Sequence, residues 1–422
     1  MKGRTERVAA AAALAAMAAG EAGATAFQLR EGSATAIGAA LAGRSANDAD
    51  VSLSIQNPAS LRGVEGLQLS QGFAGILVYG DATANAPGQN LGGPFDFSGY
   101  SRLEDTPGVH AVVPSFAIGW RATERLVLGL AVKSPFGLAT EYAQDFAGAP
   151  LGTKSELLTI SITPQASFDV TPTFSVGVGL TAQYADAELA QNLPGQGEIS
   201  VSGDGFAYGF VLGAIWEARP GTTIGAAFQS GFDHELDGEF SNPYTVGGAA
   251  YGGRPGKATF DLPALASIGV IQDIDEDWRV MAEFEWTGWE AFDTLTLSSP
   301  GLPDLPDPQG YENSFFISAG VEHDYSDRLT LRAGAGYDRS PTTDALRTVR
   351  TPDSDRWWLA AGLSYALTER IGVDAAYTLV LPEDTTVTRT RLGAANTDFG
   401  PDRIDYDSQN VHVFSLNLSY KF

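Results

Sequence analysis

The sequence predicts an all-β protein, a fourteen-stranded antiparallel transmembrane β-barrel with an N-terminal plug (hatch) segment inside its lumen. Three observations lead there. A secretory leader opens the chain, apolar and polar residues alternate with period two along most of the mature chain, and short connections alternate with long ones.

The leader comes first. Lys2, Arg4 and Arg7 form a basic start, residues 8–19 are a short apolar run, and Ala24-Thr25-Ala26 supplies a small-x-small cleavage pattern. The run is too short to cross a bilayer, which takes about 20 apolar residues. We therefore expect a signal peptide over residues 1–26, a plug over 27–66 and a barrel over 67–422. The 422 residues include no Cys, which removes thiolate metal sites and Cys nucleophiles. A formal charge of −25 excludes a phosphate-binding, nucleic-acid partner.

The alternation is clearest in the last segment. Val411, Val413, Ser415, Asn417, Ser419 and Lys421 share one face, and His412, Phe414, Leu416, Leu418, Tyr420 and Phe422 share the other. A polar face suits a lumen and an apolar, aromatic-ended face suits lipid. Residues 174–183, 329–336 and 371–378 repeat the pattern, and their polar or glycine sets have nothing in hydrocarbon to satisfy them. A terminal aromatic such as Phe422 resembles the recognition signal of outer-membrane barrel assembly. The expected partners are that assembly machinery, outer-membrane lipid and lipopolysaccharide around a monomeric wall, and a hydrophobic small-molecule ligand within.

Short polar turns fall near Thr123-Glu124, Thr171-Pro172, Arg219-Pro220-Gly221, Asp275-Glu276-Asp277, Ser326-Asp327 and Thr368-Glu369. Long Gly/Pro/Asp-rich loops fall at 81–107, 134–155, 185–203, 241–255, 291–310, 339–353 and 381–406. Tight periplasmic turns and extended outer loops in this order imply fourteen strands. Before the first strand, residues 34–41 are small, apolar and helix-compatible. Phe27, Leu29, Ile37, Leu41, Val51, Leu53 and Ile55 need burial, which a plug in a wide lumen provides.

Several motifs then resemble one family. Ala26-Phe27-Gln28-Leu29, Gly38-Ala39-Ala40-Leu41-Ala42-Gly43 and Asn57-Pro58-Ala59 look like the hatch of FadL-type (OMPP1/FadL/TodX) outer-membrane transporters of long-chain fatty acids and hydrophobic compounds. Ser134-Pro135-Phe136-Gly137-Leu138-Ala139-Thr140-Glu141-Tyr142 resembles the segment after that family's third strand. Trp286-Thr287-Gly288-Trp289, Tyr337-Asp338-Arg339-Ser340-Pro341 and Arg350-Thr351-Pro352-Asp353-Ser354-Asp355-Arg356 are similar as well. The resemblance implies passive uptake: capture at the outer loops, a lumenal site beside the hatch, and sideways release where the third strand kinks inward.

Both readings supply candidate residues. Pro58 fixes its own φ and biases Asn57 toward extended or turn geometry, which suits Asn57, Pro58 and Ala59 to a hatch-to-strand turn; the resemblance implies that they also belong to the gated release path. Phe27 joins them through the resemblance. Gly129, inside the third strand, is the expected kink, because glycine weakens a strand or marks a bend. A fatty carboxylate in an apolar lumen needs a cation, for which Lys133 and Arg332 are candidates. The competing explanation for lumenal charges, among them Arg279, Glu283, Glu285, Arg356 and Asp374, is cross-strand ion pairing. Asp186 and Glu188 stand where a fatty-acid carrier would be expected to have basic residues, which leaves an uncharged aromatic or aliphatic hydrocarbon as the alternative ligand. Phe136 and the loop residues Leu189, Leu193, Tyr244 and Tyr251 are candidates for apolar contact.

Catalysis has little support. His110, His234, His323 and His412 are scattered without metal-ligand spacing, and neither a G-x-S-x-G elbow nor a P-loop occurs. No cofactor or metal is expected, and the loop acids read as solvated surface. A barrel lipase with a rim-assembled triad, a general porin and an adhesin remain the rival classes.

Overall fold

The computed structural model describes residues 26–92, 96–195, 197–241, 245–246, 249–250, 253–301, 303–388, 391–392 and 397–422. The wall strands, each antiparallel to the next, are β1 (Leu67–Ala84), β2 (Ala111–Arg121), β3 (Leu126–Lys133, resuming as Gly137–Glu141), β4 (Lys154–Thr171), β5 (Phe174–Leu193), β6 (Gly197–Arg219) and β7 (Thr222–Gln229, then Phe232–Ser241). They continue as β8 (Arg254–Leu262, then Leu265–Asp273), β9 (Trp278–Thr287), β10 (Ser314–Ser326), β11 (Leu329–Asp338), β12 (Arg356–Ala366), β13 (Ile371–Pro382) and β14 (Ile404–Lys421). β14 pairs back onto β1, from Gln68↔Lys421 to Ala84↔Ile404, so the fourteen-stranded sheet closes without an edge.

The period-two pattern sets the two faces. Phe414, Leu416 and Leu418 are exposed, whereas their neighbours Ser415 and Asn417 are buried in the lumen. Trp120, Trp216 and Trp278 also point outward, each beside a short turn, as an aromatic girdle at one membrane interface requires.

Residues 26–66 fill the lumen. Helix α1 (Ala34–Ile37) and the 3-10 turns Val51–Ile55 and Pro58–Gly63 are nearly all buried. The 3-10 turns begin on side-chain caps: Asp50 accepts from the Ser52 N–H at 2.7 Å, and Asn57 accepts from the Ala59 N–H at 2.9 Å. α1 lies against β12, β13 and β14, while the second 3-10 turn lies against β4, β5 and β6. Glycine in the wall makes this approach possible. A Cβ on Gly334 would lie 2.1 Å from the Ala39 carbonyl oxygen, and one on Gly225 would lie 1.9 Å from that of Ser45. One on Gly177 would lie 2.3 Å from the Ala59 nitrogen.

Several sequence expectations need correction. The ladder runs unbroken through Gly129, which pairs with Gly119 on one side and Gln165 on the other; its missing side chain makes room for Leu61 of the plug. The interruption of β3 lies at residues 134–136. The expected loop 185–203 is largely strand, since β5 and β6 pair out to Leu193↔Gly197. Asp186 and Glu188 belong to the outward parity of β5, with Val176, Val178 and Leu180, and so say nothing about the lumen. Tyr244, Tyr251 and residues 1–25 of the expected signal peptide lie outside the described residues.

Gly334→Val should still give a folded barrel, judged by heat-modifiable gel mobility, but with the plug displaced. Single-channel recording should then register a raised small-ion conductance; a closed, wild-type trace would contradict the packing account.

Candidate ligand site beside the plug

The site begins with a gap in the wall. β2 and β3 pair from Arg121↔Val127 to Phe116↔Val132, then separate, and among the described residues the next bridge is Gly108↔Thr140 in the same register. Residues 109–115 and 133–139 therefore face each other without a ladder. β3 has another partner there. The Leu29 N–H donates to the Pro135 carbonyl at 2.8 Å, and the Gly137 N–H donates to the Phe27 carbonyl at 2.8 Å. The plug thus supplies an inner strand segment to which β3 bends, and the backbone groups are satisfied within the protein as a membrane requires. On its other side β3 stays on β4, with one register step between Lys133↔Ser161 and Gly137↔Leu158. Pro114 on the β2 border brings no N–H donor to the gap.

Behind the gap lies a narrow cavity between plug and wall. Leu29, Leu41, Leu53, Ile55 and Leu265 give it an apolar side, and Val113, Lys133 and Pro135 border the gap. Lys133 Nζ donates to Gln229 Oε1 at 3.0 Å, and among the described residues it makes no ion pair. Three nearby polar atoms, Gln229 Nε2, Ser134 Oγ and Arg44 Nε, are buried with no hydrogen-bond partner among the described residues. An anionic oxygen would meet several donors here.

A second group of lumenal charges holds the plug. Arg30 reaches Glu285 at 3.2 Å and Asp338 at 2.9 Å, and Arg44 pairs with Glu285 and, at 3.8 Å, with Glu283. All are buried. Burial works against the Arg30 charge, but Asp338 and Glu285 more than offset it and leave the guanidinium above its ordinary value. Burial pushes the neighbouring Glu31 carboxyl up. Gln28 adds a 2.9 Å hydrogen bond to Glu285, and the Ala34 N–H donates to Asn417 at 2.9 Å.

Phe27 anchors an aromatic cluster just above. Its ring meets Trp289 edge-on at 4.7 Å, Phe292 at 5.1 Å and Phe136 at 6.2 Å. Toward the outer loops lies a second cavity with a mainly apolar lining that includes Leu138, Leu157, Leu189 and Phe260. Glu156, Asp307 and Arg350 also line it, the Arg350 guanidinium donating to the Lys154 carbonyl at 2.9 Å.

The structure brings together Phe27, Lys133 and Phe136, and places Leu189 in the outer cavity. Leu193 is at the β5–β6 tip. Arg332 does not reach the site: it is held by Glu322 and Ser364 on neighbouring strands, in a cross-strand network with Arg279. Asn57 sits between plug and wall, its Nδ2 donating to the carbonyls of Ser45 at 2.6 Å and Ala214 at 3.3 Å. Sequence reasoning missed Gln229, Arg44 and Trp289 as neighbours of one site; lumenal parity admits Gln229, but nothing local singles it out.

A family model described as outer membrane protein transport protein (OMPP1/FadL/TodX) matches residues 15–422. The chain belongs to this family. Among curated relatives, the 47 kDa outer membrane protein of Pasteurella multocida is 28% identical, over 96% of each chain. The long-chain fatty acid transport protein of Escherichia coli O6:H1 is 25% identical, over 94% of each. A solved Pseudomonas aeruginosa FadL homologue superposes with a TM-score of 0.84 at 24% identity, covering 94% of this chain and 100% of that one. The Ralstonia pickettii toluene transporter TbuX superposes with a TM-score of 0.68 at 20% identity, covering 94% and 99%. As a member of the FadL family, the protein is an outer-membrane transporter of hydrophobic small molecules in Gram-negative bacteria, and it is not an enzyme.

Glu285→Ala should loosen the plug, because Arg30 and Arg44 lose a shared buried carboxylate, at a cost of about 3–5 kcal/mol. Limited proteolysis should then cut within residues 26–66 while the wall stays resistant; an uncut plug would refute the ion-pair account.

Proposed function

We propose that this FadL-family protein takes up long-chain fatty acids or similar acidic amphiphiles. The observation that carries this is Lys133, a lumenal cation with no ion pair among the described residues, at the border of the wall gap and on a cavity that has one apolar side. The ligand enters through the outer apolar cavity, passes the Phe27 cluster, and settles with its carboxylate on Lys133 and Gln229. Its chain lies along Leu29, Leu41, Leu53 and Ile55. It leaves sideways between residues 109–115 and 133–139, a route that keeps it out of water. Movement of the plug on the Asn57, Pro58 and Ala59 turn opens the path. Export requires removal of residues 1–26, and Phe422 presents the finished barrel to the assembly machinery.

A second reading has support of its own, in which the ligand is an uncharged hydrocarbon. The outer cavity is mainly apolar, and several solved proteins of this fold are named as toluene transporters or monoaromatic hydrocarbon channels. In that case Lys133 closes the lumen with Gln229 instead of receiving a ligand.

Lys133→Met separates the two. A charge-assisted hydrogen bond contributes about 1.5–3 kcal/mol, so loss of this one should weaken fatty-acid binding about tenfold or more. Binding of an uncharged hydrocarbon of equal length should hold steady. If only the hydrocarbon binds wild-type protein, the acidic-ligand reading fails.

A further inference from the structure

The wall has a second discontinuity, between β6 and β7. The two strands pair from Ser200↔Ser241 to Asp204↔Asp237 and again from Val211↔Gln229 to Arg219↔Thr222. Between these stretches, residues 205–210 and 230–236 form no ladder. The contacts that bridge them are the Ser230 N–H to the Phe210 carbonyl and the Phe210 N–H to Ser230 Oγ, both at 3.0 Å.

The cause is an inward step of β7 at Ser230 and Gly231. Beyond it β7 passes behind β6, so that His234 Nε2 lies 2.8 Å from Gln183 Oε1 on β5, two strands away. β6 carries glycine where the strands overlap: a Cβ on Gly209 would lie 2.7 Å from the Phe232 ring, and one on Gly205 would lie 2.4 Å from the Glu235 carbonyl oxygen. The outward residues Phe206, Tyr208 and Phe210 are exposed, Tyr208 at 78%. The strands therefore overlap like shingles, closed largely by side chains in place of a backbone ladder.

Both discontinuities lie along one row of ladder partners. Ladder partners run Lys133↔Ser161, Ser161↔Gln183 and Gln183↔Ala207 across adjacent strands. One apolar cluster faces both, since Phe136 at the first gap and Phe232, Leu236 and Ala207 at the second pack with Phe27. Unpaired backbone at membrane depth persists only where protein buries it or where it lines a passage. Opening this seam requires the Phe232 and Leu236 side chains to swing aside and breaks few hydrogen bonds.

We propose that the β6–β7 seam is a second lateral passage, through which apolar molecules exchange between the Phe27 cluster and the surrounding membrane, with Phe232 as its gate. The seam lies on the opposite side of β4 and β5 from the β2–β3 gap, so the cluster has two lipid-facing exits.

The absence of native Cys gives a clean test. Ala207→Cys places a thiol behind the seam, and Ala185→Cys places one in the same cluster on β5, behind an unbroken ladder. Folded protein in liposomes is exposed to pyrene-maleimide dissolved in the bilayer. Ala207→Cys should label about tenfold faster than Ala185→Cys, as a locally opening seam requires, and adding Phe232→Ala should widen the difference. Should Ala207→Cys fail to fold, Leu236→Cys reports from the other border. Equal rates for the two thiols, with and without Phe232→Ala, would overturn the proposal.

Discussion

The structure depends on one exchange of backbone partners. At residues 134–137 the third strand gives up β2, donates to the Phe27 carbonyl and accepts from the Leu29 N–H of the plug. A strand in a membrane cannot leave its neighbour without a substitute, because free N–H and C=O groups in hydrocarbon cost several kcal/mol each. The plug is that substitute. The gap in the wall, the cavity behind it and the seat of the plug are consequences of the same pairing.

That pairing needs the plug to be held closely and in one position. Wall glycines admit its backbone, and buried Arg30 and Arg44 fix it to Glu285, Glu283 and Asp338. Buried ion pairs often contribute little net stability over apolar packing, but they are costly to misalign and so favour one register. The same commitment leaves Lys133 apart from the ion pairs, which gives the cavity its chemical character.

The barrel was legible because a lumen and a lipid annulus impose opposite demands on alternate residues. Strands such as β14, with Ser415 and Asn417 inward and Leu416 and Leu418 outward, carry that demand openly. The bend of β3 was legible only in part. Glycine in a strand signals a bend, yet Gly129 serves as clearance for Leu61, and the bend at residues 134–136 is set by a partner far earlier in the chain, at Phe27 and Leu29. Charges show the same limit. Parity places Arg332 and Lys133 alike in the lumen, and only the fold distinguishes the one paired with Glu322 from the one bonded to Gln229. Length of strand was likewise hidden: residues 185–193 carry Asp186, Glu188, Gln191 and Asn192 and so look like loop, but outside the hydrocarbon a paired strand can carry any side chain.

The most direct test of the account is a crosslink across the β2–β3 gap. Val113→Cys and Ser134→Cys stand on its two borders, in a chain with no other thiol. A short bifunctional thiol reagent with a reducible linker should stop ligand uptake, and reduction should restore it. Uptake that continues unchanged in fully crosslinked protein would mean that the ligand does not leave through this gap.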